Sequence, residues 1–383
     1  MARIGIDYTA AARQGAGIGR YARELVSALL QRSSEHHYTI FAATGGLTDH
    51  RWRARVAGSG IRIRTLPLSD DWMARLWHRL RLPIPVETIT GPLDVFYSPD
   101  FVLPPTRRGT RTLLTVHDLS FRRYPEHFVP SLAAYLNRVV PQSVARADRV
   151  LADSEATRAD LTTYWDVPLE KVTVLYSGVD ARFRPQPQTE QTESAQALER
   201  QRLQQYGIGE RPYVLSVGTI QPRKNYLRLI RAFTSLSVCA GWQLVIAGGQ
   251  GWLCDDVLAE AARHRDRVLV TGFVADEDLP ALYRQAALFV FPSLYEGFGL
   301  PVLEAMACGT PVVCSNVSSL PEVAGDAAVL VSPHDVEALA AGMERVLSDA
   351  RLRHEMIERG KARAALFTWE RAAEQLLTLL VPE

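Results

Sequence analysis

The chain has 383 residues, 47% of them hydrophobic, and its 43 Lys and Arg nearly balance its 42 Asp and Glu. This length and apolar content favour two domains, each with its own core. A formal net charge of +1 argues against a nucleic-acid binder, in which basic residues would dominate the count. The four cysteines lie in the C-terminal half and form no C-x-x-C pair, so we interpret them as reduced packing residues.

The N-terminal run MARIGIDYTAAARQ lacks the apolar region of a secretory signal, and no stretch reaches the ~18 consecutive apolar residues of a membrane span. We therefore expect a cytoplasmic protein that contacts membranes only peripherally. The Arg- and Trp-rich segment 72–82 has two interpretations. It is either an amphipathic helix that docks on anionic lipid at the inner face of the cytoplasmic membrane, or an ordinary surface helix that covers a sheet.

Residues 1–180 alternate short β-rich runs with helical patterns, from RIGIDY through YTIFAA and TLLTV to KVTVLY. Such alternation favours a parallel sheet covered by helices. The pattern therefore predicts a doubly wound α/β domain over 1–180.

The first candidate site is the glycine-rich run RQGAGIGRY. Gly17 and Gly19 let the backbone approach a ligand closely, and a helix predicted to begin near Ile18 would direct its N–H groups at an anion. The G-x-G-x-G spacing, and the absence of an acidic residue in YTIFAATGG, disfavour a nicotinamide-dinucleotide enzyme. The alternative interpretation is a flexible hinge before a helix.

The second candidate site is His117, which follows the apolar run TLLTV and precedes Asp118. An imidazole at the end of a strand could donate to a sugar hydroxyl or support charge near a reacting centre. Alternatively, the histidine is bonded to the backbone and Asp118 caps the next turn.

Residues 181–210, rich in Gln, Thr, Pro and Glu, predict a linker. The α/β pattern then restarts with YVLSV, QLVIAGG, RVLVTGF, ALFVFPS and PVVCS, which predicts a second doubly wound domain over 211–365. Residues 366–383 predict a final helix capped by Thr368. Because ligands bind at the carboxyl ends of strands in such sheets, the loops after the strands are the places to search.

Two of these loops in the second domain carry charged residues. Arg223 and Lys224 follow YVLSV just before a helix predicted to begin near Asn225, so both cations and the helix N-terminus could converge on a diphosphate. Glu296 lies in the loop after ALFVF, and Glu304 about one turn into the next helix, which Pro301 begins. The alternatives are a solvated Arg-Lys pair and a helix start with a polar first turn.

The stretch EGFGLPVLEAMACGTPVV resembles the E-x7-E region of the retaining glycosyltransferases of family 4. The blocks GAGIGRYARELVSAL, VHDLSFRRYPEHF, VGTIQPRKNYLRLIRAF and FTWERAAEQLL are similar to further family blocks in the same order, and the runs GIGRY, HDLSF and FPSLYEGFGLP are most similar to a bacterial mannosyltransferase-like branch. The resemblance implies an α/β GT-B architecture, with two Rossmann-like domains that face each other across a cleft. It also implies that the C-terminal helix 366–383 returns to the N-terminal, acceptor-binding domain.

The resemblance implies roles for individual residues. Glu304 would accept the ribose hydroxyls of the donor, and Glu296 those of its sugar ring. Arg223 and Lys224 would hold the diphosphate, and His117 would contact the sugar near its 6-hydroxyl. The catalytic set is therefore His117, Glu296, Arg223 and Lys224. The donor-binding set is Gly17, Gly19, Gly218, Thr219, Gly272, Phe273, Val274, Glu296, Gly297, Phe298, Gly299, Leu300 and Glu304.

The implied reaction is retaining, metal-independent and cofactor-free transfer of a hexose to an acceptor hydroxyl in polysaccharide, glycan or glycolipid synthesis. The usual donor of the resembled branch is GDP-mannose, and the acceptor would be a glycan or lipid-linked saccharide. The alternatives are a glucosyl or N-acetylglucosaminyl transferase that uses a UDP-sugar, and a non-catalytic GT-B binding or assembly protein. One departure from the family is Thr219, which stands where many members carry an Arg, so we expect Arg223 to supply that charge.

Overall fold

The computed structural model describes residues 1–15, 17–32, 35–186 and 193–381. The chain divides into two compact units. The first unit comprises Met1–Arg122, Ser131–Gly178 and Thr368–Glu383, and the second comprises Arg123–Pro130 and Val179–Phe367. Part of the predicted linker 181–210, residues 187–192, lies outside the described residues.

The described ranges contain strands and helices that alternate along the chain. The strands are β1 (Arg3–Asp7), β2 (His37–Ala43), β3 (Ile61–Leu66), β4 (Val95–Ser98), β5 (Arg111–Val116), β6 (Arg149–Ala152), β7 (Val172–Val174), β8 (Tyr213–Val217), β9 (Gln243–Ala247), β10 (Val268–Gly272), β11 (Leu288–Phe291), β12 (Val312–Ser315) and β13 (Ala328–Val331). The helices are α1 (Thr9–Arg13), α2 (Gly17–Arg32), α3 (Trp52–Arg55), α4 (Asp70–Met73), α5 (Glu87–Thr90), α6 (Ser120–Arg123), α7 (Pro130–Arg146), α8 (Glu155–Trp165), α9 (Glu193–Gln204), α10 (Tyr226–Ser235), α11 (Asp255–Arg263), α12 (Leu279–Gln285), α13 (Leu300–Ala307), α14 (Leu320–Ala324), α15 (Val336–Ser348), α16 (Ala350–Ala364) and α17 (Trp369–Leu380).

The first unit is built on a parallel sheet. In the part of the chain that the structure describes, its seven strands have the order β3-β2-β1-β4-β5-β6-β7. Consecutive residues such as Leu113 and Leu114 are both fully buried, because helices cover both faces of the sheet. The strand order reverses between β1 and β4, which is where a doubly wound sheet opens a crevice for ligands.

The second unit repeats this architecture. Its described strands form a six-stranded parallel sheet in the order β10-β9-β8-β11-β12-β13. Neighbouring residues on a strand point to opposite faces, so Leu215 and Phe289 join one apolar core while Val214 and Val290 join the other. The prediction of two doubly wound domains is confirmed.

Helix α17 belongs to the first unit although it ends the chain. The Thr368 hydroxyl accepts a hydrogen bond from the Arg371 N–H, which confirms the predicted cap. Trp369, Ala373 and Leu376 are buried at helical spacing, and α17 packs on α2. The expected return of the last helix to the N-terminal domain is confirmed, and residues 382–383 of the predicted helix lie outside the described residues.

The segment 72–82 forms a shorter helix than the sequence predicts. Helix α4 continues into one π-helical turn, Ala74–Arg79, and the helix stops before Arg81, whose φ is 52°. Pro83, two residues further on, prevents continuation. Trp72 is 52% exposed, whereas Trp77 is buried and its indole Nε1 donates to the Ile84 carbonyl at 2.9 Å. Across the described ranges, no helix combines the length and apolar character that crossing a membrane requires.

Candidate functional site

The second sheet reverses its strand order between β8 and β11, so the loops after these two strands flank the ligand crevice. The loop after β8 carries Arg223 and Lys224, and the loop after β11 carries Glu296. The structure therefore brings three of the four predicted catalytic residues together at one place within the second unit.

These three side chains form a buried ion cluster. The Arg223 Nη1 lies 2.7 Å from Glu296 Oε2, and the Lys224 Nζ lies 2.7 Å from Glu296 Oε1. Their side chains are between 9% and 12% exposed, so the exposed Arg-Lys pair of the alternative interpretation is wrong. Two cations and one carboxylate leave the cluster with a net charge of +1, which favours an anion.

The cations determine the ionisation of Glu296. Burial alone would raise the pKa of this carboxyl, but Arg223 and Lys224 outweigh it and bring the pKa down to about 2. Glu296 is therefore a carboxylate at neutral pH, and its low basicity makes it a poor proton acceptor.

Asn225 connects the loops of the second unit. It adopts a left-handed conformation, φ 61°, between the short turn Pro222–Lys224 and α10, which begins one residue later than predicted. Its side-chain Nδ2 donates to the Pro292 carbonyl at 2.9 Å and to the Pro333 carbonyl at 2.7 Å. The loops after β8, β11 and β13 are thereby fixed to one another. This role was not predicted, although Asn is one of the few residues other than Gly that adopt the left-handed conformation readily.

Two serines after β12 hold the Glu296 loop. The Ser318 hydroxyl accepts from the Glu296 N–H at 2.9 Å, and the Ser319 hydroxyl donates to the carbonyls of Glu296 at 2.9 Å and Phe298 at 2.7 Å. Hydroxyls that satisfy backbone groups of a buried loop fix its conformation. Neither serine was predicted, because nothing in the local sequence indicates a partner more than twenty residues away.

Gly299 turns the chain from this loop into α13. Its φ of 113° is accessible to glycine but strained for other residues. A Cβ atom there would also lie 2.8 Å from the Leu320 Cδ2. Helix α13 then begins at Leu300 with Pro301 in its first turn, as predicted.

Glu304 lies in α13 as expected, and it is only 2% exposed. The Tyr283 hydroxyl donates to its Oε2 at 2.8 Å. Tyr283 therefore orients the Glu304 carboxylate, and a carboxylate can accept several hydrogen bonds. Tyr283 was not among the predicted residues.

Among the other predicted donor-binding residues of the second unit, Gly218 and Thr219 follow β8, Gly272 ends β10, Phe273 and Val274 follow β10, and Gly297 and Phe298 lie in the Glu296 loop. Thr219 is half-buried, and Gly218 accepts a hydrogen bond from the Tyr226 hydroxyl at 3.0 Å. At the end of β10, the Phe273 ring is 67% exposed while Val274 is buried. An exposed aromatic ring beside a ligand crevice is suited to stacking on a base.

His117 lies in the first unit, directly after β5. Its Nδ1 is 2.8 Å from Asp153 Oδ2, and its Nε2 donates to the Pro99 carbonyl at 3.1 Å. Burial opposes protonation, but Asp153, Asp100 and the Pro99 carbonyl raise the pKa of His117 to about 9. The backbone bond of the alternative interpretation is thus present, and so is the turn in which Asp118 accepts from the Ser120 N–H at 2.8 Å.

The glycine run of the first unit leads into α2, which begins at Gly17. A Cβ atom on Gly19 would lie 2.0 Å from the Gln14 carbonyl, so this glycine is required by close backbone packing. Apart from its chain neighbours and its own helix backbone, no atom of the described residues lies within 4 Å of a Cβ on Gly17, so there is open space beside this residue. Ala16, between the two flanking glycines of the run, lies outside the described residues.

In the described part of the chain, no group of three or more His, Cys, Asp or Glu side chains is arranged to hold a metal ion. The charged groups at the β8/β11 crossover can instead hold an anion directly, with the carboxylates as hydroxyl acceptors beside them. This combination suits a ligand that carries phosphates and hydroxyls.

Comparisons with known proteins agree with this chemistry. Residues 15–183 match the family Glycosyltransferase Family 4, and residues 199–363 match Glycosyl transferases group 1. The O-antigen chain mannosyltransferase B of Escherichia coli is 35% identical over 374 residues, which cover 94% of each chain. Two solved structures share the fold at 18% sequence identity. WaaG, a glycosyltransferase involved in lipopolysaccharide biosynthesis, superposes with a TM-score of 0.74, and the match covers 99% of this chain and 100% of WaaG. Anabaena Alr3699/HepE in complex with UDP-glucose superposes with a TM-score of 0.70, and the match covers 99% of each chain. The chain belongs to the glycosyltransferases of family 4, with the GT-B fold.

Proposed function

We propose that the protein is a retaining mannosyltransferase that transfers mannose from GDP-mannose to an acceptor hydroxyl in polysaccharide, glycan or glycolipid synthesis. The observation that carries this proposal is the 35% identity, across 94% of the chain, to an O-antigen mannosyltransferase. The cluster of Arg223, Lys224 and Glu296 supports it, because a nucleotide-sugar donor presents a diphosphate and sugar hydroxyls together.

In the proposed mechanism, the charge that develops on the leaving diphosphate is stabilised by Arg223 and Lys224. Both cations are positioned by Glu296 before the donor arrives, and preorganised charges of this kind are effective in catalysis. The remaining acceptor capacity of Glu296 would bind hydroxyls of the sugar ring. Its pKa of about 2 argues against service as a general base.

We assign the ribose hydroxyls of the donor to Glu304. We assign the 6-hydroxyl of its sugar to His117, whose Nε2 would exchange the Pro99 carbonyl for that hydroxyl. Tyr283 orients Glu304, and Asp153 orients His117. We further propose that transfer requires no metal and no other cofactor, because the two buried cations can carry the phosphate charge. Undiminished turnover after EDTA treatment is the expected result, whereas loss of turnover that Mg²⁺ restores would contradict it.

A UDP-sugar is the second candidate donor, since the structurally similar HepE is described in complex with UDP-glucose. Thermal unfolding in the presence of GDP-mannose, UDP-glucose and UDP-N-acetylglucosamine separates the candidates. We expect the largest rise in melting temperature with GDP-mannose. A higher melting temperature with a UDP-sugar alone would show that the UDP-sugar, not GDP-mannose, is the donor. An unchanged melting temperature with all three compounds would disprove donor binding.

Retention can be followed without knowing the acceptor. We expect slow hydrolysis of GDP-α-mannose to release α-mannose first, as monitored by the anomeric proton in NMR spectra. Glu296→Ala and Glu304→Ala should each abolish most of this hydrolysis while circular dichroism remains unchanged. Initial release of β-mannose would overturn the retaining mechanism, and full activity in either variant would overturn the role of that glutamate.

We also propose peripheral contact with the cytoplasmic face of the membrane, where a lipid-linked acceptor would be found. The support is the exposed surface of segment 72–82: Trp72 is 52% and Leu80 66% exposed, and the Arg75 guanidinium lies 5.0 Å from the centre of the Trp72 ring. Exposed apolar side chains beside arginines are suited to anionic lipid. Flotation with anionic but not neutral vesicles is expected, and failure to float with either would end this proposal.

A further inference from the structure

The short segment Arg123–Pro130 belongs to the second unit, although the chain on both sides of it belongs to the first. It contains one 3-10 turn, Pro125–His127. None of its residues was among the predicted site residues. Its contacts with the loops of the second unit nevertheless place it close to the buried ion cluster.

One end of the segment is anchored on Trp252, in the loop after β9. The indole Nε1 of Trp252 donates to the His127 carbonyl at 2.6 Å, and the rings of Phe128 and Trp252 lie 5.6 Å apart. The Trp252 loop in turn contacts the loop after β8, since the Gly251 N–H donates to the Ile220 carbonyl at 3.0 Å. The segment is therefore joined to the loop that leads to Arg223.

The other end of the segment lies against Tyr295, the residue before Glu296. The Arg123 guanidinium is 5.5 Å from the centre of the Tyr295 ring, and the Tyr124 ring is 6.2 Å away from it. The Tyr295 carbonyl accepts from Arg223 Nη1 at 2.6 Å. Both ends of the segment thus contact side chains, Trp252 and Tyr295, in loops that are joined by hydrogen bonds to the loop carrying Arg223 or to Arg223 itself.

Between these two anchors lies His127, with its ring stacked on Tyr124 at 5.2 Å and an interplanar angle of 4°. Its side chain is only 18% exposed, and its Nε2 is 3.9 Å from the Glu126 carboxylate, which is longer than a hydrogen bond. Its buried Nδ1 has no hydrogen-bond partner among the described residues. The ring is therefore placed by stacking and by its backbone, and Nε2 is the ring nitrogen that can reach a ligand.

The charges that face His127 are those of Glu126 on its own turn, Arg223 on the turn after β8 and Arg228 on α10. Burial lowers the pKa of His127, Glu126 raises it, and Arg223 and Arg228 lower it further. An anion bound beside these arginines would cancel their repulsion and favour a protonated imidazole.

We propose that His127 is a further contact for the diphosphate of the donor, presented to Arg223 by the segment Arg123–Pro130. This inference rests on the proposed function, in which Arg223 and Lys224 hold a nucleoside diphosphate. The ring is neutral without the ligand and gains a proton when the diphosphate binds. Binding is therefore coupled to proton uptake at one identified side chain.

Calorimetric titration of the full-length protein with GDP and with UDP, each in two buffers of different ionisation enthalpy at pH 7, measures this coupling. His127→Gln should bind about fivefold more weakly, because a charge-assisted hydrogen bond is replaced by a neutral one. It should also take up fewer protons than the wild type on binding the same nucleotide. The terminal phosphate titrates equally in both proteins, so the difference reports on His127. His354→Gln, at an exposed position on α16, is the matched control and should behave as wild type.

Equal affinity and equal proton uptake in wild type and His127→Gln would overturn the inference while leaving the proposed function intact. If the wild type binds neither nucleotide, the proposed function itself fails. Trp252→Phe provides a second measurement should His127→Gln not fold: it retains an aromatic ring beside Phe128 but loses the hydrogen bond to the His127 carbonyl. We expect weaker nucleotide binding and reduced proton uptake in this variant, and wild-type values for both would also overturn the inference.

Discussion

Glu296→Gln is the substitution that most directly tests the buried ion cluster. It preserves the size of the side chain but removes the charge that both Arg223 and Lys224 contact at 2.7 Å. Two buried cations then face each other without their shared carboxylate, and breaking a buried ion pair in this way is strongly destabilising. We therefore expect a folded but less stable protein.

The expected loss of stability in Glu296→Gln follows from the pKa of Glu296, which is lowered from its ordinary value of 4.5 to about 2. At pH 7 this difference corresponds to about 3 kcal/mol of stability from the charge of Glu296. Because the folded-state pKa is lowered, this stabilisation is complete above about pH 5 and is lost as the pH falls towards 2. At pH 3.5 it should have decreased to about 2 kcal/mol.

Urea denaturation of wild type and Glu296→Gln at pH 7 and pH 3.5 measures this difference. The free energy of unfolding of Glu296→Gln should lie below that of the wild type at both pH values, and this deficit should be about 1 kcal/mol smaller at pH 3.5 than at pH 7. Glu337→Gln, at an exposed position on α15, should show little deficit at either pH. A Glu296→Gln deficit that is the same at both pH values would refute the electrostatic explanation.

Three further predictions concern Asp153, which contacts His117, and two residues of the second unit, Gly299 and Tyr283. Asp153→Asn should lower the pKa of His117 from about 9 to its ordinary value or below, because the effect of burial then prevails. Titration of the ¹⁵N-labelled histidine followed by NMR measures this pKa, and an unchanged value would contradict the prediction. Gly299→Ala should cost about 2 kcal/mol in urea denaturation, since its φ of 113° is strained for alanine and Leu320 crowds the Cβ; unchanged stability would show that the loop adapts. Tyr283→Phe removes the hydrogen bond to Glu304 and should raise the donor KM severalfold with a smaller change in kcat; an unchanged KM would exclude Tyr283 as a positioning residue.

The strand pattern predicted the fold and the loops that carry the site, and the resemblance to family 4 implied that Arg223, Lys224 and Glu296 serve one donor. Strands of a doubly wound sheet place their carboxyl ends along one edge, so charged residues that follow two adjacent strands come together even when 72 positions separate them in the chain. The helix cap at Thr368 and the helix start at Pro301 could also be predicted, because their sequence signals are local.

The partners of these residues could not be predicted in the same way. Asp153 directly follows β6 and Ser319 directly precedes α14, and their hydrogen bonds span 36 and more than 20 positions respectively. The segment Arg123–Pro130 was also missed, because its aromatic residues have neither helical nor strand periodicity. Such contacts depend on how loops pack, for which the sequence carries no periodic signal.

The position of α17 has a consequence for synthesis of the chain. About 190 residues separate Gly178, where the second piece of the first unit ends, from Thr368, where its last piece begins. At roughly 5–20 residues per second, a ribosome needs about 10–40 s to cover that distance. During this interval the surface of α2 that receives Trp369 and Leu376 is uncovered, so the N-terminal half of the nascent chain is a natural substrate for chaperones until translation is nearly complete.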